Sequence, residues 1–403
     1  MKVLQINVTV NTGSTGRIAE QIGSVIEDQG HKSFIAHSRK KVQSRSKTIQ
    51  IGNKVDFYMH AINSRLFDNH GFSSKYATKK LVKTIKKIQP DLIHLHNLHG
   101  YYVHVGVLFN FLNSIKTPVV WTFHDCWPFT GHCAYFDRVD CEKWKKECHS
   151  CPLKSYYPSS LFLDNSSHNF KTKKELFAIH PNLTIVTPSH WLMKLTEQSF
   201  FKNSSIKVIH NGIDLSVFKP AQQDKDNHKQ NLKRIVLGVA SIWDSRKGLD
   251  DFIKLNDVLD DGFQIILVGL SKKQVNTLPS SMIGIERTEN IEELVKLYSR
   301  ADVYVNATYS DNFPTTNIEA LACGTPVITY DTGGSPEAID KNTGIVVERG
   351  NVEELKKAID IISKEKTKFT ADVCRERAIN HFNKDERFMD YFNLYEKLIN
   401  SSK

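Results

Sequence analysis

No run of about 18 apolar residues occurs in this 403-residue chain, so hydropathy offers no membrane-crossing helix. The start, Met1-Lys2-Val3-Leu4-Gln5-Ile6, leads into a strand and not into a signal-peptide core, so a cytoplasmic protein is expected. Short-period repeats and low-complexity blocks are missing, which argues against a repeat array or a disordered tail. Cysteine is sparse, at 7 residues, and in a cytoplasmic setting disulfides are not expected. What is present is length: 403 residues exceed one ordinary core and predict two domains of about 200 residues each.

The net charge of +10 is uneven. Residues 1–215 hold 28 Lys/Arg against 15 Asp/Glu, and the remainder holds 26 against 29. Nucleic acid, an anionic membrane surface, a phosphorylated substrate or plain solubility each accounts for such an excess. The stretch Lys79–Ile88 has apolar residues at 81, 82, 85 and 88, a helix with a cationic outer face. A solvated helix packed on a sheet is its plain reading, and membrane contact the sharper one.

Strand-like runs at Val3–Val8, Ser33–Ser38, Leu92–His96, Val119–Phe123, Leu183–Thr187 and Ile206–Ile209 alternate with helical segments at Arg17–Gln29, about 53–88 and near 102–115. The pattern restarts after the polar stretch Ala221–Gln230, the best boundary signal in the chain. Strands follow at Ile235–Val239, Gln264–Val268, Val303–Asn306, Val327–Thr329 and Gly344–Val347. Helices fall at 248–259, 290–300, 317–323 and 352–363, and a last helical segment spans about 371–400. The fold class is therefore α/β, with two doubly wound parallel sheets.

Chemistry concentrates in loops. Asp311-Asn312-Phe313-Pro314-Thr315-Thr316-Asn317-Ile318-Glu319 sets two carboxylates eight positions apart at a helix entrance, where N–H groups attract anions. That combination suits a nucleotide-sugar, whose diphosphate needs donors and whose hydroxyls need acceptors. Arg246-Lys247-Gly248 places two cations before a helix and suits a diphosphate, with a solvated surface pair as the alternative. Asp331–Glu337 carries a flexible Gly-Gly loop at the same sheet edge. Asn11–Gly16 reads as a small-residue turn in which Gly13, Thr15 and Gly16 let backbone approach a ligand; it lacks G-x-G-x-x-G spacing and is no dinucleotide fingerprint. His124-Asp125 ends an apolar strand, either as a sugar-facing donor whose tautomer or loop Asp125 fixes, or as a satisfied structural histidine.

Cys126, Cys133, Cys141, Cys148 and Cys151 crowd into a Trp- and Lys-rich insert at about 126–165. Cys148-His149-Ser150-Cys151 is a C-x-x-C, and with Cys133 and Cys141 it forms a candidate structural zinc site of four thiolates; buried reduced thiols are the alternative.

Asn211-Gly212-Ile213-Asp214, Phe218-Lys219-Pro220, Lys247-Gly248, Ala301-Asp302-Val303, Asp311…Glu319-Ala320, Cys323-Gly324-Thr325-Pro326-Val327 and Gly333-Gly334-Ser335-Pro336-Glu337 together resemble the retaining GT-B glycosyltransferases, family 4 or group 1. The resemblance runs in order over nearly the whole chain. The Gly-Ser-Thr-Gly segment, His124-Asp125 with its Cys-rich sequel, and Ser310–Pro314 are similar to the colanic-acid and capsular-polysaccharide branch. The resemblance implies two Rossmann-like domains facing a cleft: 1–215 on the acceptor side, 216–385 binding the donor, and 386–403 as a helix crossing back to the first domain.

It also implies roles. Lys247 with Arg246 would neutralise the diphosphate, Asp311 would hold the transferred sugar and Glu319 the ribose. Ile285 to Arg287 would meet the base, and amides at Phe313, Thr315 and Thr316 would face phosphate and sugar. Gly16 and His124 would lie beside the donor on the first domain. Three departures from the family pattern stand out: Ala240 replaces its usual arginine, Asp311 is one methylene shorter than its glutamate, and Pro314 removes an N–H from the phosphate cradle.

The activity expected is transfer of a hexose from a UDP- or GDP-sugar, with retention, to a glycan or a polyprenyl-diphosphate-linked acceptor in bacterial surface polysaccharide synthesis. No catalytic metal is expected, the nucleotide-sugar being a substrate. A monomer or dimer is expected, with inner-leaflet contact through the basic half and no nucleic acid partner. A non-hydrolysing sugar-nucleotide epimerase of the same fold is the enzyme alternative, and a zinc-bearing basic nucleic-acid-binding protein the non-enzyme one.

Overall fold

The computed structural model of the protein describes residues 1–39, 42–221 and 233–401. The polar stretch expected to mark the boundary lies, beyond Ala221, outside the described residues. The first half runs β1 (Lys2–Ile6), α1 (Gly13–Asp28), β2 (Lys32–His37), β3 (Lys47–Gln50), α2 (Lys54–Phe67), α3 (Lys75–Ile88), β4 (Leu92–Leu95), α4 (Val105–Leu112), β5 (Val119–Thr122), α5 (Ser166–Phe177), β6 (Leu183–Thr187), α6 (His190–Gln198) and β7 (Ser205–Val208). Its sheet has the order β3-β2-β1-β4-β5-β6-β7. All of these pairings are parallel. Helices cover both faces of such a sheet, which explains why β5 and β6 are buried at every position and read as continuous apolar runs.

The second half runs β8 (Arg234–Val239), α7 (Leu249–Val258), β9 (Phe263–Val268), α8 (Lys272–Thr277), β10 (Ile283–Ile285), α9 (Ile291–Arg300), β11 (Val303–Asn306), α10 (Thr315–Ala322), β12 (Val327–Tyr330), β13 (Gly344–Val347), α11 (Val352–Lys364), α12 (Ala371–Phe382) and α13 (Lys384–Ser401). Its parallel sheet has the order β10-β9-β8-β11-β12-β13. The expected helix over 371–400 is two helices, parted at Asn383, whose φ of −60° and ψ of 121° are extended. Among the described residues, no helix is long and apolar enough to cross a membrane.

Met1–His210 with Phe388–Lys403 form one compact unit, and Asn211–Arg387 the other. In the first, the Trp121 ring lies among Phe109, Phe123 and Phe177, with centroids 4.9 to 5.3 Å away. Phe388, Tyr391, Phe392 and Tyr395 of α13 pack on Val3, Ile18, Ile22 and Leu92. Burying each phenylalanine contributes on the order of 2 kcal/mol. On α3, Ala77, Leu81 and Ile85 face inward at four-residue spacing, which leaves the lysines outside.

Candidate functional site

In an open parallel sheet the crevice forms where neighbouring strands send their connections to opposite sides, at the carboxyl ends. In the second unit that point lies between β8 and β11. The loop after β8 carries Arg246 and Lys247, and the loop after β11 carries Asp311. The two loops are joined by backbone: Tyr309 N–H donates to the Arg246 carbonyl at 2.7 Å. Gly248 has φ +73°, and a Cβ there would stand 2.2 Å from the Ala307 carbonyl oxygen, so only glycine lets the two loops meet.

Side chains complete the junction. Lys247 Nζ donates to Asp311 Oδ2 at 2.6 Å, and Arg246 NH1 lies 3.8 Å from the same oxygen. Arg246 NH1 also donates to the Ser310 carbonyl at 2.7 Å. Asp311 Oδ1 accepts the Asn312 N–H at 2.9 Å. Burial pushes the Asp311 carboxyl up, but Lys247 and then Arg246 outweigh it and hold the group below its ordinary value. A carboxylate offers about four lone-pair directions and an ammonium three protons, so this pair can still grip hydroxyls and an anion.

The rest of the segment gathers around it. Gly334 N–H donates to the Asp311 carbonyl at 3.3 Å, and a Cβ on Gly333 would lie 1.8 Å from that oxygen. The Gly-Gly loop is thus pressed against the aspartate. α10 opens at Thr315 with no acid in its first turn, so the amides of Thr315 and Thr316 have no intrahelical acceptor. Phe313 is buried, and its carbonyl accepts from Asn211 Nδ2 at 3.3 Å. Glu319 Oε2 accepts the Tyr298 hydroxyl at 3.0 Å. Ile285 ends edge strand β10, where its carbonyl takes the N–H groups of Gly269 and Leu270, and Arg287 is exposed just beyond. Tyr298 is a partner that sequence reasoning missed, since no spacing rule links positions 21 apart on different helices.

In the first unit the switch point lies between β1 and β4. The expected turn at Gly13–Gly16 is the first turn of α1: Gly13 enters at φ +67°, and Thr15 Oγ1 accepts from Asn7 Nδ2 at 3.4 Å. A Cβ on Gly16 would meet Thr9 Oγ1 at 2.6 Å. His124 Nε2 lies 3.2 Å from His96 Nδ1, and His96 Nε2 lies 3.0 Å from Gln5 Oε1. Because Gln5 Nε2 donates to the Ala19 carbonyl at 2.8 Å, its oxygen must face His96. His96 therefore carries its proton on Nε2 and accepts the His124 Nε2 proton on Nδ1. Burial, opposed by Asp125, takes His124 down to about 4.

One expectation is corrected here. Asp125 does not set the tautomer of His124: its Oδ2 lies 2.7 Å from His99 Nε2, and its Oδ1 accepts the Trp127 N–H at 2.9 Å. Asp125 thereby holds its own loop, the other role considered for it. His99 reaches on to the Tyr157 hydroxyl at 2.9 Å. The run Ile93-His94-Leu95-His96 held the signal for two of the missed histidines, since i and i+2 on a strand share one face.

Comparison with known proteins decides the family. Residues 220–381 match the model for glycosyl transferases group 1, and residues 16–217 that for glycosyltransferase family 4. The chain belongs to glycosyltransferase family 4, group 1. It is 24% identical over 371 residues to WcaC of Escherichia coli (strain K12), named as a colanic acid biosynthesis glycosyl transferase, covering 88% of this chain and 89% of that one. It is 25% identical over 213 residues to the N,N'-diacetylbacillosaminyl-diphospho-undecaprenol alpha-1,3-N-acetylgalactosaminyltransferase of Campylobacter jejuni, covering 49% of this chain and 56% of that one. The solved structure of Anabaena Alr3699/HepE in complex with UDP-glucose superposes with a TM-score of 0.67 at 16% identity, over 98% of this chain and 100% of that one. The glycosyltransferase thus has the GT-B fold.

Proposed function

We propose that this glycosyltransferase moves a hexose from a UDP- or GDP-sugar, with retention, to a glycan or polyprenyl-diphosphate-linked acceptor in bacterial surface polysaccharide synthesis. One observation carries the reading: Lys247 and Arg246 meet Asp311 at the switch point of the second sheet, a cation pair beside a hydroxyl acceptor. The relatives named above support the pathway, and the undecaprenol-linked substrate of the Campylobacter protein supports the acceptor class.

In this mechanism the diphosphate lies against Lys247, Arg246, the Phe313 amide and the first amides of α10, those of Thr315 and Thr316. These groups stabilise the charge that develops as the glycosidic bond breaks. Asp311 orients the sugar hydroxyls, Glu319 the ribose, and the segment from Ile285 to Arg287 the base. The acceptor hydroxyl attacks the face the diphosphate leaves, through an oxocarbenium-like transition state. On the first unit, Gly16 lets backbone approach a ligand closely and His124 is neutral.

Membrane contact is the second part of the proposal. Val55, Tyr58, Met59 and Ile62 are 49 to 68% exposed, at helical spacing along one face of α2. Leu161, beyond the end of that helix, donates its N–H to the Arg65 carbonyl at 2.7 Å and is exposed with Phe162 and Leu163. α3 exposes Lys75, Lys79 and Lys80, cations suited to anionic lipid.

A thermal-shift series against UDP-, GDP- and dTDP-sugars tests the donor assignment, with stabilisation expected from one of the first two. Product NMR with donor alone should show no epimer. Stabilisation by none of the nucleotide-sugars, or epimerisation without acceptor, sinks the reading. Ile62→Asp should weaken binding to vesicles containing anionic lipid at low salt; wild-type protein that ignores such vesicles removes the membrane contact.

A further inference from the structure

Between β5 and α5, residues 123–165 hold only three short 3-10 turns, Trp127–Phe129, Asp137–Val139 and Lys143–Lys145. Regular backbone pairing therefore does little to hold this insert. What it encloses is a cavity of about 20 Å³, lined by Cys133, Cys141, Cys148 and Cys151 together with Phe136 and Trp144. That volume suits one water-sized occupant or one ion. Water would find poor partners among thiols and aromatic rings, whereas a soft cation would find good ones.

The backbone is arranged for sulfur ligands. Gly131 N–H donates to Cys148 Sγ at 3.2 Å, and a Cβ on Gly131 would lie 2.1 Å from the Ser166 carbonyl oxygen and 2.8 Å from Cys148 Cβ. Only glycine brings that amide to the sulfur. Ser150, inside the Cys148–Cys151 turn, has φ +43°, and Lys143 Nζ closes the turn by donating to the His149 and Ser150 carbonyls at 3.1 Å each.

An independent observation concerns charge. Lys173 on α5 is fully buried, yet its Nζ meets only neutral groups in its contacts: the Trp127 and Thr130 carbonyls at 2.9 and 3.0 Å, and the Trp127 ring at 3.5 Å. Burial takes its ammonium down to about 7, and the groups that would pull it back up are Cys148 first, then Asp68 and Cys133. A buried cation calls for a buried anion.

We propose that Cys133, Cys141, Cys148 and Cys151 bind one zinc ion as a tetrahedral tetrathiolate staple, with Lys173 as the buried counter-charge. Four thiols release four protons, and the resulting centre, one Zn²⁺ with four thiolates, carries a charge of −2 that the ammonium partly balances. Tetrahedral Zn–S bonds of about 2.3 Å set sulfur–sulfur distances of about 3.8 Å. Among the described residues no three of these sulfurs lie within 4.8 Å of one another, so the loop tightens when the ion binds. The staple does the structural work that secondary structure does elsewhere in the unit.

Elemental analysis of the full chain, purified without a chelating tag, should find one zinc per chain. Titration with an organomercurial should release it as four thiols react, and cobalt substitution should give the absorption of a tetrahedral sulfur site. Cys148→Ser and Cys141→Ser should lose the metal, while Cys374→Ala, at a buried cysteine on α12, keeps it. Because the serine variants can fail to fold, the wild-type titration decides by itself. Absence of zinc, iron in its place, or a Cys133–Cys151 disulfide in the mass spectrum overturns the site. Lys173→Met should weaken zinc retention against a chelator by about tenfold or more; unchanged retention overturns the counter-charge.

Discussion

The two sheets share a winding rule but fill their switch points with different chemistry. The second unit holds a charged junction, Lys247, Arg246 and Asp311, in which the two cations hold the carboxyl below its ordinary value. The first holds uncharged rings: His94, His96 and His124 lie at the ends of β4 and β5, each driven below its ordinary value by burial. In the second unit the cations are held by an internal carboxylate. A surface lined with neutral imidazoles offers directional hydrogen bonds without that attraction.

The comparison breaks most sharply at Lys247. Lys247→Ala should lower kcat by about 100-fold or more, measured by donor turnover, because it removes transition-state charge stabilisation; near-normal turnover would mean the charged junction is structural. The next effect is one of pH. A histidine whose folded value lies below 6.5 gives stability that is complete above pH 6.5 and is lost as pH falls toward the folded value, since the unfolded chain then binds more protons. His60, at about 3 through burial, and His94 and His96 belong to this class, all in the first unit. For His60 this should cost about 2 kcal/mol by pH 5, and His94 and His96 act in the same direction. His132 runs the other way: burial lowers it, but the hydrogen bond and charge of Asp68, with smaller help from Cys151 and Tyr156, together outweigh burial and raise it. Hydrogen exchange at pH 7 and pH 5 should show protection lost mainly in the first unit; equal loss in both would erase the contrast.

Smaller effects sharpen the picture within the second unit. Asp311→Glu restores the longer reach of the family glutamate and should shift the kcat/KM ratio between two donor sugars by about tenfold. Glu319→Gln keeps an acceptor for Tyr298 but loses charge at the expected ribose contact. KM for the donor should rise about threefold to tenfold with kcat little changed, in steady-state kinetics with donor varied.

Long, strongly patterned elements were legible in the sequence. β5 reads as a strand because both its faces are buried, and α3 reads as a helix because its apolar residues recur every four positions. β10, with only Ile283-Gly284-Ile285, and the edge strand β3 are too short to show a period, and α8 spans only Lys272–Thr277. The cation and carboxylate motifs were legible as separate loops. Their ion pair joins positions 64 apart, which periodicity does not encode. The pairing of Asp125 with His99 escaped for a related reason: a neighbour in sequence, His124, offered a simpler partner than one in the loop after β4. On α2 the stripe Val55, Tyr58, Met59 and Ile62 has the period of a buried face, and only the structure shows that it points outward.

The line from Ala19 through Gln5 and His96 to His124 has a direction as well as a length. Every proton on it points back toward the helix, from His124 to His96, from His96 to Gln5 and from Gln5 to the Ala19 carbonyl, so none of the three side chains can turn alone. A helix carbonyl in α1 thereby dictates which nitrogen of a ring two strands away holds hydrogen. Replacing Gln5 with leucine would remove the acceptor of the His96 Nε2 proton and erase that instruction.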